Sequence, residues 1–228
     1  VGRVTKIWFC GYRDWALSIY EHLMRSSSRC DIPLILIKDK DDYAIMIDNL
    51  DADDILFFVG WSWIIPEEIV ENYTCVCLHP SPLPKYRGGS PLQHQIINGE
   101  THSAATFFIM DKYIDKGPIL YSKAFDLGGS LNDIYQRIID CGKEGIIQII
   151  DQYMTGMPLQ GEPQDETQKS YYKRRTPAMS EIRKEDFTNM SATQLFDKVR
   201  ALQDPYPNAF ITCKDNTKLL LKVVQVED

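Results

Sequence analysis

Three residues of one short strand carry the chemistry that most invites testing. In Cys75-Val76-Cys77-Leu78-His79 the side chains of a strand alternate, so Cys75, Cys77 and His79 share a face while Val76 and Leu78 point the other way. Thiolates and an imidazole at that spacing suit zinc. Structural zinc sites draw on two separated ligand pairs, however, and no CxxC or HxxxH partner stands elsewhere in the chain. Packing as small buried residues outweighs the metal reading, and no metal site is expected. A Cys77–His79 pair is a second candidate, since a thiolate beside an imidazole is an activated nucleophile.

The loop that follows is stiff. Pro80, Pro82 and Pro84 hold the backbone extended, Gly88-Gly89 permits sharp bends or close approach, and Lys85, Tyr86 and Arg87 stand between them. A histidine at a strand end beside such a loop is an active-site arrangement. Asp115, in the turn Tyr113-Ile114-Asp115-Lys116-Gly117, has two readings: a turn former bonding nearby amides, or a carboxylate that orients His79 and raises its basicity. Trp61 and Trp63 around Ser62 are either rim packing or the walls of a slot for a flat ring. Gly11-Tyr12-Arg13 offers helix-start amides and a cation to a phosphate, without the second glycine of a dinucleotide fingerprint.

These residues need elements to hold them. Apolar runs predict strands at Val4–Cys10, Ile32–Ile37 and Ile55–Val59, the second and third covered on both faces. Between them lie a helix striped by Ala16, Ile19, Tyr20 and Leu23 and a short one around Tyr43–Leu50. Pro66 opens another helix over Glu67–Glu71 before the strand of His79, and Leu92–Ile97 is helical. Thr106–Met110 and Ile119–Phe125 are two further strands. Ser130 and Asp133 start a long helix carrying Leu131, Ile134, Ile138, Ile149 and Tyr153. Strands alternating with helices predict an α/β fold with a mostly parallel, doubly wound sheet, whose ligands bind outside the carboxyl ends of the strands, where Gly11, Gly60 and His79 fall.

The catalytic domain is expected over residues 1–155. Residues 156–228 then supply a linker, polar and basic as far as Arg183, and a small α+β appendage: a helix Ala192–Leu202 and strands Ala209–Cys213 and Lys218–Val226. The 228 residues suffice for one large domain with a substantial core. A net charge of −7 argues against a broad nucleic-acid surface. Six cysteines without a regular spacing fit reduced thiols, no apolar run approaches the ~20 residues that span a bilayer, and no signal peptide opens the chain. A cytoplasmic protein without membrane partners is the expectation.

Taken together, His79-Pro80-Ser81-Pro82-Leu83-Pro84 with Arg87-Gly88-Gly89-Ser90-Pro91, and Asp115-x-Gly117 downstream of a strand, resemble the active-site segments of the enzymes that transfer a formyl group from N10-formyltetrahydrofolate. The resemblance extends through Tyr171–Pro177 and Asp204–Phe210, hence over most of the chain. It implies a Rossmann-like formyltransferase domain and a catalytic trio of Asn, His and Asp, of which His79 and Asp115 match two while Cys77 stands at the Asn position. Pterin recognition, as the family implies it, falls on backbone near Trp61, Ser62 and Trp63 and on the turn holding Asp111 and Tyr113. Lys85, Tyr86, Arg87, Gly88, Gly89, Gln93 and Arg13 are the candidates for the second substrate.

Leu92-Gln93-His94 and the short C-terminal portion look most like the nucleotide-sugar N-formyltransferases, which act on a 4-amino-4,6-dideoxy sugar linked to UDP or dTDP. A transfer-RNA substrate would favour a basic protein with a further RNA-binding domain. The alternatives are a degenerate module that holds a nucleotide sugar without turnover, which Cys77 keeps open, and another enzyme of the family such as a methionyl-tRNA formyltransferase. The appended strands could pair in a homodimer.

Overall fold

Two runs of uniformly apolar residues, Ile7–Cys10 (β1) and Ile55–Val59 (β3), are adjacent interior strands of a six-stranded sheet, and every residue of both is buried. The computed structural model describes residues 5–26 and 32–227, so Val4 and Cys30 lie outside the described residues. Strand order is β2 (Leu34–Ile37), β1, β3, β4 (Thr74–His79), β6 (His102–Ile109) and β7 (Ile119–Asp126). The first four are mutually parallel; β6 adds antiparallel to β4, and β7 adds antiparallel to β6. The fold is therefore the expected α/β one with a mostly parallel sheet. One expectation fails in detail: β2 is the sheet edge, with three of its four residues only half-buried, so that run is not covered on both faces.

Alternation divides the core into two layers. Phe9, Phe57, Val76, Leu78 and Phe107 face one side, where helices α1 (Asp14–Ser26) and α5 (Leu131–Met154) cover them. Trp8, Cys10, Leu56, Phe58 and Cys75 face the other, against α2 (Lys40–Ile47) and α3 (Glu67–Asn72) through Met46 and Ile69. The predicted stripe of α1 is the one buried, with Ala16, Ile19 and Leu23 inside. Helix α5 starts at the predicted cap: Ser130 Oγ accepts from Asp133 N, and Asp133 Oδ2 accepts from the Ser130 hydroxyl at 2.7 Å and from Ser130 N at 2.9 Å, which together, the hydroxyl first, hold the Asp133 carboxyl below its ordinary range. Because β2 and β3 lie on opposite sides of β1, the winding reverses there. A crevice opens outside the carboxyl ends of β1 and β3.

Between β4 and β6 run a two-residue strand β5 (Arg87–Gly88) and helix α4 (Pro91–Ile97). The chain after α5 is not a loose linker. Ile119 and Glu162 exchange backbone hydrogen bonds of 2.8 Å, and β8 (Tyr171–Tyr172) pairs parallel with β5, returning the segment to the loop after β4. Beyond it come α6 (Asp186–Asn189), α7 (Ala192–Ala201) and the hairpin β9 (Ala209–Thr212) with β10 (Lys218–Leu221), around a small core of Ile182, Val199, Leu202 and Ala209. Strand β10 ends at Leu221, short of the predicted Val226. Among the described residues no helix is long and apolar enough to cross a membrane.

Candidate active site

His79 closes β4 and is buried, on the same face as Cys75 and Cys77. Its Nε2 lies 2.8 Å from the carbonyl oxygen of Tyr86. A carbonyl can only accept, so Nε2 carries the hydrogen, and in the neutral ring Nδ1 holds the lone pair. That nitrogen is 3.7 Å from Asp115 Oδ2, close in charge yet beyond hydrogen-bond length. Asp115 therefore stands beside His79 as a carboxylate able to stabilise an imidazolium, while the orientation expected from it comes from the Tyr86 carbonyl instead. The same Oδ2 accepts a 2.7 Å hydrogen bond from Gly88 N.

The loops meet closely here. Asp115 has φ of +51°, in the left-handed region that aspartate tolerates better than most residues. Two residues on, a Cβ at Gly117 would fall 1.7 Å from the Ile109 carbonyl oxygen, so only glycine lets this turn lie against β6. Gly88, at φ of +96°, faces the Tyr172 carbonyl, which a Cβ would approach to 2.3 Å.

Cys77 lies near enough to Asp115 to feel its charge. Burial first, and that charge second, push its thiol well above its ordinary value. A protonated thiol at this place is a weak S–H donor. Burial pushes the Cys75 thiol up to about 12. Among the described residues no three His, Cys, Asp or Glu side chains gather as a metal site.

The substrate candidates separate into two kinds. Arg87 and Tyr86 are corrections to the sequence reading. Arg87 is 0% exposed, and its guanidinium is spent on Gln164 Oε1 (2.6 and 3.1 Å), Glu166 Oε1 (2.8 Å) and Tyr171 Oη (2.9 Å). Tyr86 stacks on Tyr172 at 4.8 Å and donates its hydroxyl to Glu100. Both brace the loop. Gly88 and Gly89 serve the same end, since Gly89 N donates to the Tyr172 carbonyl at 2.9 Å. Lys85 is exposed, and Gln93 is buried with its Nε2 lacking a hydrogen-bond partner among the described residues.

Arg13 is different. Its Nη2 reaches Ser62 Oγ at 3.3 Å, and the Arg174 Nη2 donates to the Ser62 carbonyl at 3.2 Å. Neither guanidinium has a carboxylate partner among the described residues, and Tyr12 donates to Ser62 Oγ at 2.6 Å. Two cations without counter-charges thus converge on the crevice between β1 and β3.

Trp61 and Trp63 meet edge to face at 4.6 Å, with Tyr12 and Tyr43 against them, and Trp61 Nε1 is buried without a hydrogen-bond partner among the described residues. Residues 61–65 and 111–114 make no backbone–backbone hydrogen bond within the described residues. The Tyr113 amide is used only by Asp111 Oδ1, at 2.8 Å. Unspent amides and carbonyls beside aromatic faces fit the flat, hydrogen-bonding pterin ring of a folate. Two cavities lie elsewhere, one of about 830 Å³ between α4 and α7 and one of about 420 Å³ by Phe187, and neither touches His79. The chemistry gathers in the open cleft instead.

The sequence reading missed Gln164, Ser170 and Arg174. Gln164 Nε2 donates to the carbonyls of Asp115 (3.1 Å) and Gly117 (2.7 Å). Ser170 Oγ accepts from Tyr86 N at 2.9 Å. Gln164 and Ser170 sit in a polar stretch with no periodicity to mark them, Arg174 lies in the Tyr171–Pro177 segment without standing out as a site residue, and the return of that stretch to β5 brings all three to the site.

Residues 38–150 match the family described as formyl transferase, and residues 179–228 match the formyl transferase C-terminal domain. A methionyl-tRNA formyltransferase of Thermodesulfovibrio yellowstonii is 31% identical over 207 residues, covering 87% of this chain and 64% of its own length. The chain spans about 60% of the length of the curated relatives it matches. Among solved structures, the methionyl-tRNA formyltransferase from Clostridium thermocellum superposes with a TM-score of 0.74 at 26% identity, over 95% of this chain and 97% of that one. A 4-N formyltransferase from Francisella tularensis shares the fold over the whole of both chains, with a TM-score of 0.78 at 20% identity.

Proposed function

Because this chain belongs to the formyl transferase family, we propose that it moves the formyl group of N10-formyltetrahydrofolate to the amino group of a UDP- or dTDP-linked 4-amino-4,6-dideoxyhexose, in the cytoplasm. The observation that carries the transfer is His79, with Nε2 fixed on a carbonyl and Nδ1 free beside Asp115, at the mouth of a slot with unspent backbone. As the acceptor amine attacks the formyl carbon, His79 Nδ1 takes its proton and Asp115 stabilises the imidazolium that results. His79 then returns the proton to the leaving nitrogen. Cys77 offers the oxyanion only a weak S–H donor where the family Asn would offer an amide; loss of such a donor typically costs ~3–4 kcal/mol. Trp61, Ser62, Trp63, Asp111 and Tyr113 border the folate slot. Arg13 and Arg174 suit the diphosphate of the acceptor, and exposed Lys85 stands ready for the same anion.

Transfer to methionyl-tRNA is the second reading, favoured by the names of the curated relatives. The net charge of −7 supports the small acceptor, since a transfer-RNA surface needs clustered cations. A homodimer through the free edge of β10 has support in Leu219 and Leu220, both exposed there. The test offers N10-formyltetrahydrofolate with a panel of UDP- and dTDP-linked 4-amino-4,6-dideoxyhexoses, and separately with charged initiator tRNA. Mass spectrometry of a sugar formamide is the expected result. Formyl-methionyl-tRNA with no sugar product would replace this reading with the second.

A further inference from the structure

Arg87 is the largest fully buried side chain among the described residues, and the proposed reaction has no use for its charge. Its place in the chain explains it. The residue before it, Tyr86, supplies the carbonyl that fixes His79, and the residue after it, Gly88, supplies the amide that holds Asp115 Oδ2. Its guanidinium is gripped by Gln164 Oε1 through two hydrogen bonds, at 2.6 and 3.1 Å. The Gln164 amide nitrogen in turn donates to the backbone carbonyls of Asp115 and Gly117. A closed circuit results: Arg87 to Gln164, Gln164 to the Asp115 backbone, the Asp115 carboxylate to Gly88 N, and one peptide bond back to Arg87.

We infer that Arg87 and Gln164 are positioning residues that lock the carboxylate of Asp115 to His79. Neither touches the reacting groups. A side chain at φ of +51° on a half-buried turn has other rotamers and backbone states open to it. Gln164 removes the backbone freedom by holding the carbonyls on both sides of Lys116, and Arg87 fixes Gln164 while sitting between the two residues that grip the pair. Because Arg87 also donates to Glu166 and Tyr171, the lock is anchored to the 164–172 segment as a whole. A misplacement near 1 Å at a catalytic group costs on the order of 100-fold in rate.

The inference rests on the proposed formyl transfer for its rate readout alone. Gln164→Glu and Gln164→Leu separate it from simple structural support. Gln164→Glu keeps an oxygen for Arg87 but turns a second oxygen on the Asp115 and Gly117 carbonyls, whereas Gln164→Leu loses both arms. Both are expected to lower kcat by ~10–100-fold with little change in KM for either substrate. In both, NMR should show the Gly88 amide proton moving upfield and exchanging faster with solvent. A folded Gln164→Glu with wild-type kcat, or a Gly88 amide unchanged in both variants, would overturn the inference. Should Gln164→Leu fail to fold, Gln164→Glu carries the test. If the wild type transfers no formyl group to any acceptor, the reaction reading fails, and the Gly88 amide still decides for or against the lock.

Discussion

The two walls beside His79 are built in opposite ways. Along Tyr86–Gly89 nearly every polar group is spent inside the protein: on Ser170, Glu100, Gln164, Glu166, Tyr171, Tyr172 and Asp115. Along 61–65 and 111–114 the backbone makes no backbone–backbone hydrogen bond among the described residues, and apolar side chains face outward, with Ile64 92% and Ile114 64% exposed. A buried polar group must be paired, so the closed wall can sit in only one arrangement. An exposed backbone is satisfied by water at little cost and can exchange that water for a ligand. Fixing the reacting groups and recognising the substrate are thus assigned to different walls.

The largest expected effect tests the purpose of the closed wall. His79→Ala should lower turnover by at least ~100-fold, the scale of a general acid–base group. It should also cost ~1–2 kcal/mol of stability, because the Tyr86 carbonyl loses its donor inside the protein. A folded variant with near-normal rates would show that the wall holds something other than the reaction.

A pair of substitutions, one on each wall, sharpens the contrast directly. Gly88→Ala places a Cβ against the Tyr172 carbonyl at a positive φ, and urea unfolding should show a loss of ~1–3 kcal/mol. Ile64→Ser should stay within ~0.5 kcal/mol of the parent while raising KM for the formyl donor, since its side chain touches solvent rather than the core. Equal stability losses in the two would erase the distinction between the walls.

The smallest effect lies in acid. The hydrogen bond from Arg87 holds the Glu166 carboxyl at about 2, below its ordinary 4.5. A folded-state value below the unfolded one means that this contribution is present above about 4.5 and is lost as pH falls toward 2. Glu166 is partly exposed, so solvent screens the pair and the gain is modest. Thermal unfolding followed from neutral pH down to about 2 should show a shallower acid decline for Glu166→Gln than for the parent. Parallel curves would mean that the closed wall does not depend on this ion pair.

Much of this was legible in the chain itself, because the signals were local. Continuous apolar runs marked β1 and β3, a four-residue stripe marked α1, and Ser130 with Asp133 marked the start of α5. Alternation alone placed Cys75, Cys77 and His79 on one face. Periodicity and capping act between residues a few positions apart, so the order of residues carries them fully. The stiff loop after His79 and the aspartate turn were visible for the same reason, and so was the formyl transferase family.

What the tertiary structure alone decided is who holds whom. Arg87 read as a cation for a diphosphate, and it is instead a buried brace, because a polar segment 77 residues further on supplies Gln164 as its partner. Arg174, unremarkable in a basic stretch, joins Arg13 at Ser62 from 112 residues away. Asp115 looked like the residue that orients His79, yet a backbone carbonyl does so, and a carbonyl has no signature in a sequence. A charged side chain acquires its role from whether a counter-charge or a wall meets it, and that meeting is fixed by how distant segments close on one another.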